Sequence, residues 1–404
     1  MTHDSSLLDH ASWYQDQVVF LTGATGNLGG CMLYKLAVQL PTKKIYVLCR
    51  RSLEQAMNKW EAAMPDQIEE IFDTGKVHCL IGDTTEPHLG LKKADRDRLQ
   101  QEVTVVIHGA ASISMMEELQ KAVREHCSAM TNMIHLASQM THLRAFVFIS
   151  SFLVGLLLSN ETAQERFLKV AADEPDPEEQ VASIVATNSS PYADRFPTTY
   201  SQAKYLSERL LLAHQESIPV LVVRPTSIGP AIRDPYPLYG VAGSVPVDTA
   251  FYLYAQSGVY RSMSEMERFS QEAVVDEIPV DLVVNGCLLH IACESRGLVH
   301  LGCQLYVIQT FGDLKVQWQK YGPKDLASQM AKLNKERNGA LVRHAFEQIY
   351  RIHRTWFVDC SRSRHLQTTG GPIGLSLAGH NFEQYVKARV EKQGQQLKKF
   401  NSEA

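Results

Sequence analysis

Several things are missing from this chain of 404 residues. Its eight cysteines contain no C-x-x-C pair. No His/Cys cluster has the spacing of zinc ligands, so no metal site is expected. Cys31, Cys49 and Cys79 fall in or beside apolar runs and read as reduced core thiols of an intracellular protein. Positive charge is not in excess: 40 Lys and Arg stand against 44 Asp and Glu, a net charge of −4. That leaves no footprint for nucleic acid. The polar, acid-bearing N-terminus "MTHDSSLLDHASWYQDQ" is neither a signal peptide nor an Arg-rich transit peptide. No uninterrupted apolar stretch reaches the roughly 20 residues of a membrane span. The longest candidate, "IPVDLVVNGCLLHIA", is broken by Asp281 and Asn285 and reads as a buried helix. A soluble, cytoplasmic protein is expected, with peripheral membrane contact left open. Repeats and long low-complexity runs are also absent.

What is present is an alternation. "VVFLTG", "KIYVLCR", "KVHCLIGD", "VTVVIHGAA", "RAFVFISS" and "PVLVVRP" read as six strands, separated by segments of helical periodicity. Continuous Val/Ile/Leu strands between amphipathic helices predict an α/β fold, a doubly wound parallel sheet of the Rossmann type. The length adds a smaller, mainly helical C-terminal substrate domain. The expected division is 15–295 for the dinucleotide-binding part and 296–404 for the remainder. A partly helical insertion is expected over 156–198, and irregular substrate loops over 228–275.

Three glycines, Gly23, Gly26 and Gly29, fall between the first strand and its helix. In that context G-x-x-G-x-x-G sets backbone N–H groups and a helix N-terminus against a pyrophosphate. Read without a ligand it is a tight structural turn. The second strand ends in "VLCRRS", with Arg50 and Arg51 where an acid would accept the ribose 2′-hydroxyl of NAD. Two guanidiniums suit a 2′-phosphate, so NADPH is expected; the alternative is a solvated basic pair. Asp83 closes the third strand as a turn former or as a partner of the adenine amino group.

Tyr200 and Lys204 form Y-x-x-x-K, one helical turn apart on one face. The ammonium is expected to lower the tyrosine pKa, leaving Tyr200 to protonate a carbonyl oxygen as hydride arrives. Ser151, just past the fifth strand, would polarise the same carbonyl, with Ser150 the alternative and a strand-end cap the bland reading for both.

The ordered set "TGATGNLGG", "VIHGAA", "FISSFLVG", "YSQAK" and "VVRPTSIGP" resembles the extended short-chain dehydrogenase/reductase superfamily. Within it, "RPTSIGPAIRDPYP", "DEIPVDLVVNGCLLHIA" and "NFEQYVKARVEK" resemble the male sterility-type fatty acyl-CoA reductases and the related thioester reductases. The resemblance implies NADPH-dependent reduction of an acyl thioester, acyl-CoA or carrier-bound, to aldehyde and/or primary alcohol. It implies Tyr200, Lys204 and Ser151 as catalytic residues. The expected cofactor site is Thr22, Gly23, Thr25, Gly26, Asn27, Leu28, Gly29, Arg50, Arg51, Asp83, Ala110, Lys204 and Pro225. Asn27 departs from the family, which usually has a large apolar residue there. The membrane anchor of the animal members is not seen, which weighs against a peroxisomal or endoplasmic-reticulum placement.

The loops after Ile228 and the helices beyond Arg296 are expected to build the acyl pocket, with the aromatics of "PYPLYG", "TAFYLYAQSGVYR" and "YRIHRTWF" as either tunnel or core. Two rivals stay in view. One is another extended reductase, a carbonyl reductase or a sugar-nucleotide epimerase or dehydratase. The other is a non-catalytic NADP-binding regulator. Chain length of the acyl group, CoA against carrier protein, and oligomeric state are left open.

Overall fold

A computed structural model describes residues 10–115, 117–157, 162–241, 243–256, 271–325 and 357–403. The elements are β1 (Val18–Thr22), α1 (Asn27–Tyr34), β2 (Lys44–Cys49), α2 (Leu53–Ala63), α3 (Ile68–Asp73) and β3 (Val77–Ile81). They continue with α4 (Lys93–Glu102), β4 (Val105–His108), α5 (Leu119–Ala137), β5 (Ala145–Ile149), α6 (Pro177–Thr187), α7 (Thr199–Leu212) and β6 (Val220–Pro225). After these come β7 (Ser227–Gly229), α8 (Pro246–Gln256), β8 (Val274–Val275), β9 (Glu277–Pro279), β10 (Gly297–Leu301) and β11 (Gln309–Thr310). A buried helix spans Val280–Ala292 and a C-terminal helix spans Phe382–Glu403.

Seven strands form one sheet in the order β10-β6-β5-β4-β1-β2-β3, every pair parallel. Strand alternation sorts side chains onto two faces. Val19 and Leu21 join one core with α1 and the Val280–Ala292 helix, and Phe20 joins the other with α5 and α7. Both faces are covered, which is why the strands read as continuous apolar runs. The order reverses between β1 and β4, and ligands bind beyond the strand ends at such a switch point.

The seventh strand, β10, pairs with β6 through Gly297↔Leu221 to Leu301↔Pro225. The expected boundary at 295/296 falls just before it, so the sheet extends into the segment assigned to the C-terminal part. Among the described residues the insertion carries α6 and a short 3₁₀ helix at Ala193–Arg195.

Two buried charged clusters clamp the C-terminal half onto this sheet. Asp281, fully buried, accepts the backbone N–H groups of Ile232, Arg233 and Asp234 at 3.1, 2.9 and 3.3 Å. Lys35, also fully buried, donates to Asp234 Oδ2 (2.6 Å), Gln39 Oε1 (2.8 Å) and the Pro372 carbonyl (2.6 Å). The second cluster centres on Arg389 of the C-terminal helix, which donates to Glu277 Oε2 at 2.5 Å and to Asp248 Oδ1 at 2.6 Å. The structure buries this guanidinium, and two carboxylates from β9 and α8 neutralise it.

Candidate functional site

The turn after β1 is shaped by its glycines, but not for one reason. Gly23 adopts φ +81°, and a Cβ there would lie 2.7 Å from Ala110 N. At Gly29 a Cβ would lie 2.1 Å from the Gly23 carbonyl oxygen. The chain itself demands these two. Gly26 has φ −89°, is exposed, and its Cβ would meet only Gly23 O at 3.4 Å, an ordinary contact. Only something approaching from outside requires glycine there. Gly26 is also the N-cap of α1, whose first turn has no side-chain cap. Its amides are left for an anion.

Asn27 explains its own departure from an apolar residue. Its Oδ1 accepts the Val241 N–H at 3.1 Å and its carbonyl accepts the Tyr239 hydroxyl at 3.0 Å, tying the turn to the loop before α8. Its Nδ2 is buried without a protein acceptor, a donor that a phosphate oxygen would satisfy. Trp60 Nε1 fixes the turn from below, donating to Ala24 O at 2.9 Å. Thr22 is committed to stitching β1 to β4: its Oγ1 lies 2.9 Å from His108 Nδ1 and accepts the Ala110 N–H at 3.2 Å.

Arg50 and Arg51 stand exposed at the end of β2, and Ser52 then caps α2 by accepting the Gln55 N–H at 3.2 Å. Asp83 Oδ1 accepts both the N–H (3.0 Å) and the hydroxyl (2.8 Å) of Thr85, so Asp83 is a turn former while still lining the cleft.

At the other end, the two serines after β5 separate in role. Ser150 Oγ donates to Glu208 Oε1 at 2.5 Å, and Glu208 is gripped by Arg224 through Nε (2.8 Å) and Nη2 (2.5 Å), all three buried. Ser150 is thereby occupied. Ser151 sits beside the Tyr200 hydroxyl and accepts the Leu153 N–H at 3.3 Å. α7 starts in a capping box between Thr198 and Ser201. Tyr200, Lys204 and Glu208 follow on successive turns of its buried face. Lys204 Nζ donates to the Ile149 carbonyl at 2.8 Å, 4.6 Å from the Phe148 ring centroid and 5.8 Å from that of Tyr200.

The electrostatics correct one expectation. Burial pushes the Tyr200 phenol up to about 12, with the Ser151 hydroxyl pulling the other way. The tyrosine is not lowered by Lys204, because burial takes Lys204 itself down to about 7 against the opposing pull of Glu208. Tyr200 is therefore a neutral hydroxyl, the form a proton donor needs. His126 of α5 packs its ring edge-on to Tyr200 at 5.5 Å, and burial drives it to about 3.

The glycine turn, Arg50, Arg51, Asp83, His126, Ser151, Tyr200 and Lys204 line one cleft of about 1510 Å³. The expected cofactor residues Thr22, Gly23, Thr25, Gly26, Asn27, Leu28, Gly29, Arg50, Arg51, Asp83, Ala110, Lys204 and Pro225 are on its walls, as are Ser151 and Tyr200. Glu208, Arg224 and His126 were missed. The spacing of Glu208 four residues beyond Lys204 was the available signal.

The far end of the cleft draws on the loops after Ile228 and on the insertion. Gly243, Ser244, Pro246, Thr249 and Ala250 line it, but among the described residues none beyond Arg296 does. The insertion contributes instead, through Asn188–Ser190, Ala193 and Phe196–Thr199. Tyr236 and Tyr239 are bracing rather than lining: Tyr236 donates to the Ala63 carbonyl at 2.7 Å, and their rings meet edge-on at 5.5 Å. Phe251 stacks on Trp318 at 4.1 Å. The side chain of Tyr254 and most of "YRIHRTWF" lie outside the described residues. Among the described residues there is no metal-ligand cluster, and no helix long and apolar enough to cross a membrane.

Sheet order, glycine turn and cleft together define a Rossmann-type protein that takes a nicotinamide dinucleotide. The profile of the male sterility protein family matches residues 21–287, and the chain belongs to that family. Fatty acyl-CoA reductase 1 of Xenopus laevis is 28% identical over 300 residues, covering 70% of this chain and 56% of that protein. The chain thus spans about half the length of the curated relatives it matches. The terminal R domain from the myxalamid PKS-NRPS biosynthetic pathway shares the fold at TM-score 0.65 and 20% identity, covering 93% of this chain and 90% of that one. Yeast methylglyoxal/isovaleraldehyde reductase Gre2, solved with NADPH, does so at TM-score 0.57 and 13% identity, covering 95% and 100%.

Proposed function

We propose that this chain is an NADPH-dependent oxidoreductase that reduces acyl thioesters, on CoA or on a carrier protein, to aldehyde and/or primary alcohol. One observation carries the reading. Ser151, Tyr200 and Lys204 sit on the walls of the same cleft as the glycine turn and the Arg50–Arg51 pair. The family assignment and the fatty acyl-CoA reductase relatives support the substrate class.

The residues fit the cofactor: Gly26 leaves room for a pyrophosphate that a methyl would fill, and the α1 amides offer it donors. Arg50 and Arg51 would hold the 2′-phosphate, which favours NADPH over NADH. Asp83 keeps a second carboxylate oxygen for the adenine amino group. Lys204 would reach the nicotinamide ribose.

The bound cofactor supplies hydride. The chain does the rest. Ser151 and Tyr200 donate hydrogen bonds to the thioester oxygen, and these strengthen as the oxygen gains charge; such stabilisation is typically worth about 3 kcal/mol per donor. Tyr200 then gives up its proton, and Lys204 offsets the phenolate that forms. The resulting hemithioacetal collapses to thiol and aldehyde. Glu208 engages the Ser150 hydroxyl and neutralises Arg224. Eight free thiols, most of them buried, support a reducing, cytoplasmic setting.

The test is NADPH oxidation with matched acyl-CoA, free acid and aldehyde. Thioester turnover with inert free acid is expected. Turnover of aldehydes or ketones alone would replace this reading with a general carbonyl reductase.

A further inference from the structure

We propose that the acyl chain of the substrate lies against Ile113 and Met115, on the loop leaving β4, and that these two side chains set the preference for acyl length. The inference rests on the thioester reading above and goes beyond it by naming the wall that reads the chain.

Large apolar side chains seldom stay in water without cause when they cluster. Among the described residues the exposed ones are few and mostly scattered. Ile113 (61% exposed) and Met115 (40%) are two residues apart, on the same loop, and both line the cleft. Their surroundings point to an uncharged occupant. The Arg50, Arg51 and Lys59 cations belong to the adenosine end of the cleft. Near Met115 the charged groups are engaged with one another: Lys121 Nζ pairs with Glu117 at 2.8 Å and lies 3.9 Å from Glu125, so among the described residues no unpaired cation stands there to call for an anionic occupant.

The loop is also registered to the reacting groups. His126 lies beside the Ser112 backbone and packs edge-on against Tyr200 at 5.5 Å. One side chain thus sits between the tyrosine that holds the carbonyl and the residue next to Ile113. A carbonyl held by Tyr200 and Ser151 would send its chain along this loop. Across the same cleft the insertion supplies Ala193, Phe196 and Pro197. A flat apolar wall suits a methylene chain, and Met adapts to chains of different length.

The experiment compares the full chain with I113S/M115S, using butyryl-, octanoyl- and dodecanoyl-CoA and the matching acyl-pantetheine thioesters. Each methylene kept buried is worth about a fourfold gain in kcat/KM. Wild-type kcat/KM should rise with length. In the double variant the dodecanoyl-to-butyryl ratio should fall at least tenfold, with the NADPH dissociation constant unchanged. A second variant, I113F/M115F, should move the optimum to shorter chains, which a mere folding defect would not do. An unchanged length profile, or an equal loss at every length, would overturn the inference while leaving thioester reduction intact. Weakened NADPH binding would make the pair a cofactor contact and overturn it too. A wild-type protein inert on every thioester would overturn both readings.

Discussion

Gly26→Ala separates what the glycine turn does for the chain from what it does for a ligand. At this position the added methyl meets only Gly23 O, at 3.4 Å, and the backbone at φ −89° suits alanine. Replacing glycine gains about 0.4–1 kcal/mol by restricting the unfolded chain. Alanine is the weaker N-cap and gives back an amount of similar size. Net stability should stay within about 1 kcal/mol of wild type. Gly29→Ala is the contrasting variant. Its methyl would overlap Gly23 O at 2.1 Å, so backbone must move, at about 3 kcal/mol or more. Binding should invert that order of tolerance. A methyl at 26 stands where a phosphate must approach the α1 amides. Losing even one charge-assisted hydrogen bond, about 1.5–3 kcal/mol, weakens binding roughly 10- to 150-fold. The assay is urea denaturation beside NADPH titration for wild type and both variants. A Gly26→Ala protein that binds NADPH like wild type, or that unfolds as readily as Gly29→Ala, would refute the assignment of this glycine to the ligand.

Other expectations follow from the same geometry. Tyr200→Phe should leave NADPH binding nearly intact and cut turnover about 10²- to 10⁴-fold, measured by steady-state kinetics; near-normal turnover would remove the tyrosine from the chemistry. Replacing Arg50 and Arg51 with alanine should weaken NADPH by a few kcal/mol at most, about 3, and leave NADH binding little changed, as read by paired titrations. Glu208→Gln removes the charge that holds the Lys204 pKa up, so the alkaline limb of the pH–rate profile should move to lower pH; a profile that falls in amplitude without moving would make Glu208 purely structural. Burial drives His108 and His126 to about 3 and His290 and His300 to about 4, so the unfolded chain takes up protons first as pH falls below about 6.5. Each histidine then withdraws up to about 1.4 kcal/mol per pH unit, partly offset by Asp276 and Asp281, whose raised pKa values pull the other way; thermal midpoints should drop between pH 6.5 and 5.

The first six strands and the position of the cofactor turn were legible in the sequence because they depend on local pattern: apolar runs, a glycine spacing, a helix stripe. β10 was not. "GLVHL" is short and carries His300 inward, and its place in the sheet comes from pairing with β6, far earlier in the chain. The aromatics after β7 stayed open between tunnel and core for a related reason. Tyrosines at 236 and 239 look like a tunnel by composition, but each hydroxyl has a backbone carbonyl within reach, and those partners lie on α2 and α1. Glu208 is not marked out by its helix alone, because its partner Arg224 comes from β6. Asp281 could be noted only as a break in an apolar helix. Its three backbone amides belong to a loop nearly fifty residues earlier, and no periodicity reports such a contact.

Thiol release measured together with NADPH consumption tests the central claim most directly. With a long-chain acyl-CoA, free CoA should appear only when NADPH is present. One NADPH should be consumed per thiol if the product is an aldehyde, and two if it is an alcohol. Thiol release without NADPH, or NADPH oxidation without thiol release, would contradict reduction of a thioester by this chain.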